Sequence, residues 1–157
     1  MTVALTFAAC YSIDCPVDSL VELQVSFYDA NAEKEITLDE SLTITAAGTD
    51  SVLINKLTGK TGFQMPLQIS AQNDGEVVDK MQLQFVDKNG QVTTDELTLK
   101  HRSFAHFEGM DCPTLVFHQL LDAQCTDNRI ESVEIVRNLV NYDKATNIRL
   151  HLRPAAE

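Results

Sequence analysis

The chain has 157 residues, the length of a single domain, and its hydrophobic fraction of 44% is that of an ordinary globular protein. Its formal net charge of −11 argues against nucleic acid as a partner, because phosphates are neutralised by Lys and Arg, and against an electrostatic grip on anionic lipids. No stretch of about 18 consecutive apolar residues is present, so the sequence predicts no transmembrane helix.

The first ten residues look like the end of a secretory signal. They are uncharged and mostly apolar, and two small residues precede Cys10. Small residues there let a signal peptidase reach the bond before a cysteine, whose thiol then carries a lipid. We therefore predict a signal-peptide remnant at 1–9, a lipidated Cys10 and a stem over 10–19. Phe7 stands where Leu is usual and no basic residue lies near the start, so a first β-strand with a buried cysteine is the alternative.

Three further cysteines follow Cys10. Cys15 and Cys112 share one local context, an aspartate before the cysteine and a proline after it. In an oxidising compartment such a pair predicts a disulfide, which would join the stem to a segment late in the chain. The alternative is a zinc site, but the cysteines and histidines are not closely paired, and we predict no metal. Cys125 is then expected to be buried as a small hydrophobe.

Alternation of apolar and polar residues dominates the chain and predicts about nine or ten short strands. In chain order these are 21–27, 42–46, 51–57, 63–69, 77–86, 91–100, 103–107, 115–121, 130–136 and 148–152. Pro66 indicates an edge strand or a bulge, because proline lacks the N–H that a central strand donates. The turn residues Asp87–Gly90 make the segments on either side of them the clearest hairpin.

Two stretches, 115–121 and 130–140, also fit a helical pattern, so at most one short helix is expected. Turn signals recur at the spacing typical of sandwiches and barrels. The sequence therefore predicts one all-β domain over 20–157, an antiparallel β-sandwich of the Ig-like or a related Greek-key kind.

No catalytic constellation is evident. The four histidines lack the HExxH spacing of a zinc protease, and we expect structural roles, although His106 and His118 could approach each other across neighbouring strands. There is no G-x-S-x-G elbow and no glycine-rich phosphate loop. The segment Asp87–Glu96 resembles a calcium loop, but its glycine falls at the wrong position. The sequence predicts no enzyme activity and no cofactor.

Several short segments, taken together, are similar to one family. They are Cys10–Pro16, Ser26–Tyr28, Asp39–Asn55, Met65–Leu67, His106–Pro113, Ile130–Val133, Val140–Lys144 and Asn147–Ile148. On these segments the chain resembles an uncharacterised family of Bacteroidota lipoproteins, domain of unknown function 6452, over nearly its whole length after Cys10. The resemblance implies a lipid on Cys10, an all-β domain on the periplasmic side or at the cell surface, and no known enzymatic activity. It also implies a gene neighbour that encodes an outer-membrane β-barrel protein.

These observations predict a non-enzymatic, outer-membrane-associated lipoprotein that acts as an interaction or structural module of the Bacteroidota cell envelope. Its expected partners are the outer membrane, through the lipid anchor, and an outer-membrane β-barrel protein. A β-edge or an acidic face would meet the protein partner. The periplasmic side is favoured over the cell surface because no acidic run follows Cys10 directly.

The alternative function is a carbohydrate- or small-ligand-binding sandwich. The chain has no Trp, so the three tyrosines, Tyr11, Tyr28 and Tyr142, would have to converge on one groove. Ser19 and Ser51 lie in short Asp-Ser-aliphatic segments that fit the O-glycosylation pattern of exported Bacteroidota proteins. Such three-residue patterns also occur by chance.

Overall fold

The computed structural model describes residues 15, 20–72 and 74–154. These residues form ten strands and no helix, and none of them could span a membrane as a helix. The predicted all-β sandwich is confirmed, and both ambiguous stretches are strands, β7 and β8. The strands are β1 Leu23–Asp29, β2 Ser41–Ala46, β3 Val52–Leu57, β4 Gly62–Met65, β5 Gly75–Val86, β6 Val92–His106, β7 Leu115–Cys125, β8 Ile130–Ile135, β9 Leu139–Val140 and β10 Ile148–Leu152.

The strands build two sheets that pack face to face. The smaller sheet has the order β4-β1-β10-β8, and the larger one has the order β3-β2-β5-β6-β7-β9. Neighbouring strands run antiparallel, except that the first strand, β1, lies parallel to the last, β10. The β5–β6 hairpin predicted from its turn residues forms the centre of the larger sheet.

The core lies between the sheets and follows from the two-residue alternation. In β1 and β10 every second residue is buried, and β5 and β6 contribute alternating side chains from the larger sheet. Burial of apolar side chains is the dominant favourable term in folding, so this pattern fixes which face of each strand points inward. The fully buried side chains include Leu23, Phe27, Leu38, Leu42, Ile44, Met81, Leu83, Phe85, Leu97, Leu99, Ile130 and Ile148.

Several strand bounds differ from the sequence prediction, and three differences are informative. β6 runs unbroken through the predicted gap after Lys100, and a register shift against β7 at Lys100/His101 absorbs the irregularity. β4 ends at Met65 because Pro66 cannot donate to a ladder. The two-residue strand β9 was not predicted, since so short a segment carries no period.

A buried polar network holds the crossing from the larger to the smaller sheet. Asp95 on β6 accepts hydrogen bonds from the Thr126 hydroxyl and from the backbone N–H groups of residues 128–130, at 2.7–2.9 Å. The Nε of Arg129 donates to both carboxylate oxygens of Glu40. The backbone N–H groups of residues 128–130, in the turn between β7 and β8 and at the start of β8, therefore have their acceptor in a side chain of β6.

Candidate functional site

The predicted disulfide is present and joins Cys15 to Cys112, with their α carbons 5.6 Å apart. Cys112 lies in the loop 107–114 between β6 and β7. We call this end of the sandwich, where β6 ends and β7 begins, the stem end. Cys125 is a free thiol, partly buried against the core, and burial raises its pKa.

A carboxylate within the loop is turned back toward the domain. Glu108 Oε1 accepts a hydrogen bond from the Tyr142 hydroxyl at 2.7 Å and lies 2.8 Å from Nε2 of His106. These two partners, Tyr142 first, lower the pKa of Glu108, and the same bond raises the pKa of Tyr142. The Glu108 carboxylate thus points at the protein, and Tyr142, its main partner, lies 34 positions further along the chain.

The partners of Glu108 are themselves held by an aromatic cluster. The His106 ring stacks on Phe117 with centroids 4.1 Å apart, and Tyr142 packs edge-on against Phe117 at 5.6 Å. Aromatic pairs in these geometries add to the free energy of simple burial. The cluster therefore gives the loop a fixed base on β6 and β7.

The loop carries two exposed apolar side chains, Phe107 at its start and Met110 at its tip. The Cys112 N–H donates to the Gly109 carbonyl at 3.3 Å, which closes a turn with Met110 at its corner. Met110 is 105% exposed and Phe107 is 69% exposed, the highest values among the large hydrophobic residues that the structure describes. Because two highly exposed apolar side chains lie in one short loop, this loop is a candidate contact surface.

Beneath the stem end lies a buried cluster of two histidines, a carboxylate and a hydroxyl. His101 Nε2 donates to Asp79 Oδ2 at 3.1 Å, and Ser103 Oγ lies 3.1 Å from His118 Nδ1. The two imidazole rings meet edge to face, with centroids 5.0 Å apart. The sequence allowed a contact between His106 and His118, but in the structure His118 packs against the ring of His101.

This cluster satisfies the backbone of the irregular segment that follows β4. Gln68 N–H donates to Asp79, and Ser70 N–H donates to the Ser103 hydroxyl. Burial, followed by the neighbouring His101, lowers the pKa of His118 to about 4, so this ring is neutral at pH 7. Asp79 borders a small cavity of about 160 Å³, but both rings are at most 3% exposed. The geometry therefore favours a structural role.

Two larger cavities lie elsewhere. One of about 540 Å³ opens between the edge strands β3 and β4 and is lined by Leu57, Phe63, Lys60 and Lys144 among others. The other, of about 410 Å³, lies on the outer face of the smaller sheet. Its polar groups already pair with one another, since Glu134 contacts both Arg149 and His151, and the Arg149 guanidinium covers the Tyr28 ring at 4.7 Å.

The tyrosines do not form the groove that the carbohydrate alternative required. Tyr28 lies on the smaller sheet beside Arg149, whereas Tyr142 packs against Phe117 of the larger sheet. Tyr11 lies outside the described residues.

The four edge strands are poor templates for pairing with another strand. β3 carries two register shifts against β2, and Lys56 within it has a positive φ of 50°. β4 has four residues and stops before Pro66, β9 has two, and the pairing of β8 with β10 is irregular at His151/Leu152. Bulges and short edges oppose strand addition.

The remaining predicted sites are placed as follows. Cys10 and Ser19 lie outside the described residues, so lipidation at the first and glycosylation at the second stay predictions. Ser51 is exposed in the turn between β2 and β3, accessible to a modifying enzyme. Within the described ranges, no group of three or more His, Cys, Asp or Glu side chains could hold a metal ion.

A family model, described as a family of unknown function and designated DUF6452, matches residues 41–152. The chain belongs to this family. The DUF6452 match begins with β2 and ends with β10, so it includes Cys112 and the loop at the stem end, while Cys10 and Cys15 precede it. No curated protein and no solved structure matches the chain.

Proposed function

We propose that this chain is an exported lipoprotein of the Bacteroidota cell envelope, anchored in the outer membrane through Cys10 on the periplasmic side. It acts there as a non-enzymatic interaction or structural module. The observation that carries the proposal is the disulfide between Cys15 and Cys112. Disulfides persist in oxidising compartments, and this one fastens the segment just after Cys10, the predicted lipidation site, to the folded domain.

We assign no catalytic role because the best candidate catalytic side chains are buried. Asp79, His101, His118 and Ser103 are the groups that could perform acid–base chemistry, and they are at most 5% exposed. They also have a structural task, because they hold the segment after β4. A general base must reach a substrate proton within hydrogen-bond distance, which these positions do not favour.

The anchor is tested by fractionation and by acyl labelling. The chain is expressed in a bacterium that processes lipoproteins, and we expect it in the outer-membrane fraction with a radioactive fatty acid attached. Cys10→Ala should abolish labelling and release the protein to the soluble periplasm. Cys125→Ala, which removes another free thiol, is the matched control and should change neither. Wholly soluble, unlabelled parent protein would reject the proposal.

The module is tested by cross-linking in the intact envelope followed by mass spectrometry. We expect an envelope protein, and specifically an outer-membrane β-barrel protein, as the main cross-linked partner. The protected edge strands favour a partner that meets side chains on a sheet face or a loop rather than one that adds a strand. Recovery of lipid-anchored protein with no reproducible partner would contradict the interaction role.

The second candidate, a small-ligand-binding sandwich, has one observation in its favour, the cavity of about 410 Å³ beside Tyr28 and Arg149. Calorimetric titration with a panel of oligosaccharides tests it. Binding lost in Tyr28→Ala and kept in Tyr142→Ala would support this function. Because Arg149 already covers the Tyr28 ring, we expect no binding.

A further inference from the structure

We infer that the loop 107–114 is a second membrane contact, in which Phe107 and Met110 enter the interface of the bilayer that holds the lipid on Cys10. The inference rests on the proposed function, because it takes that lipid as the anchor. Its evidence is the disulfide, the length of the tether and the exposure of these two side chains.

The disulfide makes the tether short. Cys15 lies five positions after Cys10, a reach of roughly 18 Å when fully extended, so the α carbon of Cys112 stays within about 24 Å of the anchored residue. Without the bond the first attached strand would begin at Leu23, thirteen residues from Cys10 and up to about 45 Å away. The covalent link therefore holds this loop closer to the anchored residue than the chain alone would hold the first strand.

The loop is built to present apolar groups outward. Glu108 is the carboxylate between Phe107 and Met110, and its bonds to Tyr142 and His106 turn it toward the domain. The turn closed by Cys112 N–H and the Gly109 carbonyl places Met110 at the tip.

The opposite end of the sandwich has a different character. It is formed by the turn 87–91 between β5 and β6 and by the turn 126–129 between β7 and β8, and we call it the far end. Charged side chains at these turns include Asp87, Lys88 and Asp127. β6 alone runs for 15 residues, about 45 Å, from Val92 near the far end to His106 at the stem end.

The expected lipid is zwitterionic. The chain carries a net charge of −11, and Asp111 lies in the loop itself, so anionic headgroups would be repelled. Apolar burial drives the contact instead, and burying one Phe or Met side chain raises partitioning about tenfold or more. A tethered loop also searches for its site at a high effective concentration.

Single tryptophans test the inference, since the chain has none. Phe107→Trp and Met110→Trp report on the loop, and Val92→Trp, at a residue 52% exposed near the far end, is the matched control. Each variant, with Cys125→Ser to leave one coupling thiol, is attached through Cys10 to a maleimide lipid in phosphatidylcholine vesicles. We expect brominated lipid tails to quench both loop tryptophans and to leave the control unquenched.

A second measurement uses the affinity of a weak anchor. With a single short acyl chain on Cys10, membrane binding is marginal, so the loop's contribution becomes measurable. The double variant Phe107→Ser/Met110→Ser loses about tenfold for each side chain, so it should leave vesicles about a hundredfold faster than the parent, and Val92→Ser should not. Loop tryptophans quenched no more than the control, together with unchanged dissociation, would overturn the inference.

Two further outcomes are informative. One distinguishes a second copy of the chain from the bilayer, and the other distinguishes this inference from the proposed function. A blue shift of the loop tryptophans that grows with protein concentration in the absence of vesicles would mean that another copy of the chain covers the loop, and it would overturn a bilayer contact. The vesicle experiment uses a chemically coupled lipid, so its result does not depend on whether the cell acylates Cys10. Missing acyl groups on Cys10 of the envelope protein would instead reject the proposed function.

Discussion

Removal of the disulfide should cost this protein a large part of its stability without changing its fold. Cys112→Ser opens a closed loop of 97 residues, and the chain-entropy model assigns such a closure about 4–5 kcal/mol at 25 °C. Cys112 lies in the loop between β6 and β7, outside the strands whose side chains form the core. The substitution should therefore leave the core intact. For a denaturant slope of about 2 kcal/mol per molar urea, the midpoint should fall by about 2 M.

The assay is equilibrium unfolding in urea, followed by far-ultraviolet circular dichroism in a background with Cys10→Ser. Cys15→Ser should give the same loss as Cys112→Ser, because either change opens the same loop. Cys125→Ser leaves the loop closed and should keep the parent midpoint within experimental error. Equal midpoints for the parent and Cys112→Ser would refute the assignment of stability to loop closure.

Two buried polar groups give further predictions. Asp95→Ala should lower the free energy of unfolding by about 3–5 kcal/mol, because three backbone N–H groups lose their acceptor, whereas Asp122→Ala on the exposed face of β7 should cost less than about 0.5 kcal/mol; equal urea midpoints would contradict this. The folded-state pKa of His118, about 4, lies below its ordinary value of 6.5, so the unfolded chain binds its proton first. The contribution of neutral His118 to the free energy of unfolding is therefore fully present above pH 6.5. It is lost as the pH falls toward 4, by up to about 3 kcal/mol. Urea midpoints measured between pH 4 and pH 7 should vary less in His118→Gln than in the parent, and equal variation in the two proteins would contradict this prediction.

The sequence was sufficient for the fold class because the relevant signal is local. Alternation in segments such as 77–86 and 148–152 reports directly which side of a strand is buried. The disulfide was also predictable, since Cys15 and Cys112 share the same flanking residues. Where local signals conflict, as at 130–140, the tertiary structure decided in favour of a strand.

The buried histidine cluster and the aromatic base of the loop could not be predicted, because each depends on strand register. His101 and His118 meet only because β6 and β7 pair with a shift at Lys100/His101, and no sequence pattern specifies that shift. Glu108 and Tyr142 are similarly joined across 34 residues. A weak signal existed, since a polar residue at an inward position of an alternating strand must find a buried partner.

The proposed lipid anchor would also limit where a protein partner can bind. If the stem end faces the bilayer, the loop 107–114 is covered. The edge strands are also poor sites for a partner, because their bulges and short lengths oppose strand addition. The far end and the outer faces of the two sheets then remain accessible. The turn 87–91, at the end of the long β5–β6 hairpin, projects farthest from the tether, since β6 extends about 45 Å from the stem end. Cross-links to a partner should therefore concentrate on Lys88 rather than on Lys144, which lies near the start of β10 at the anchored side.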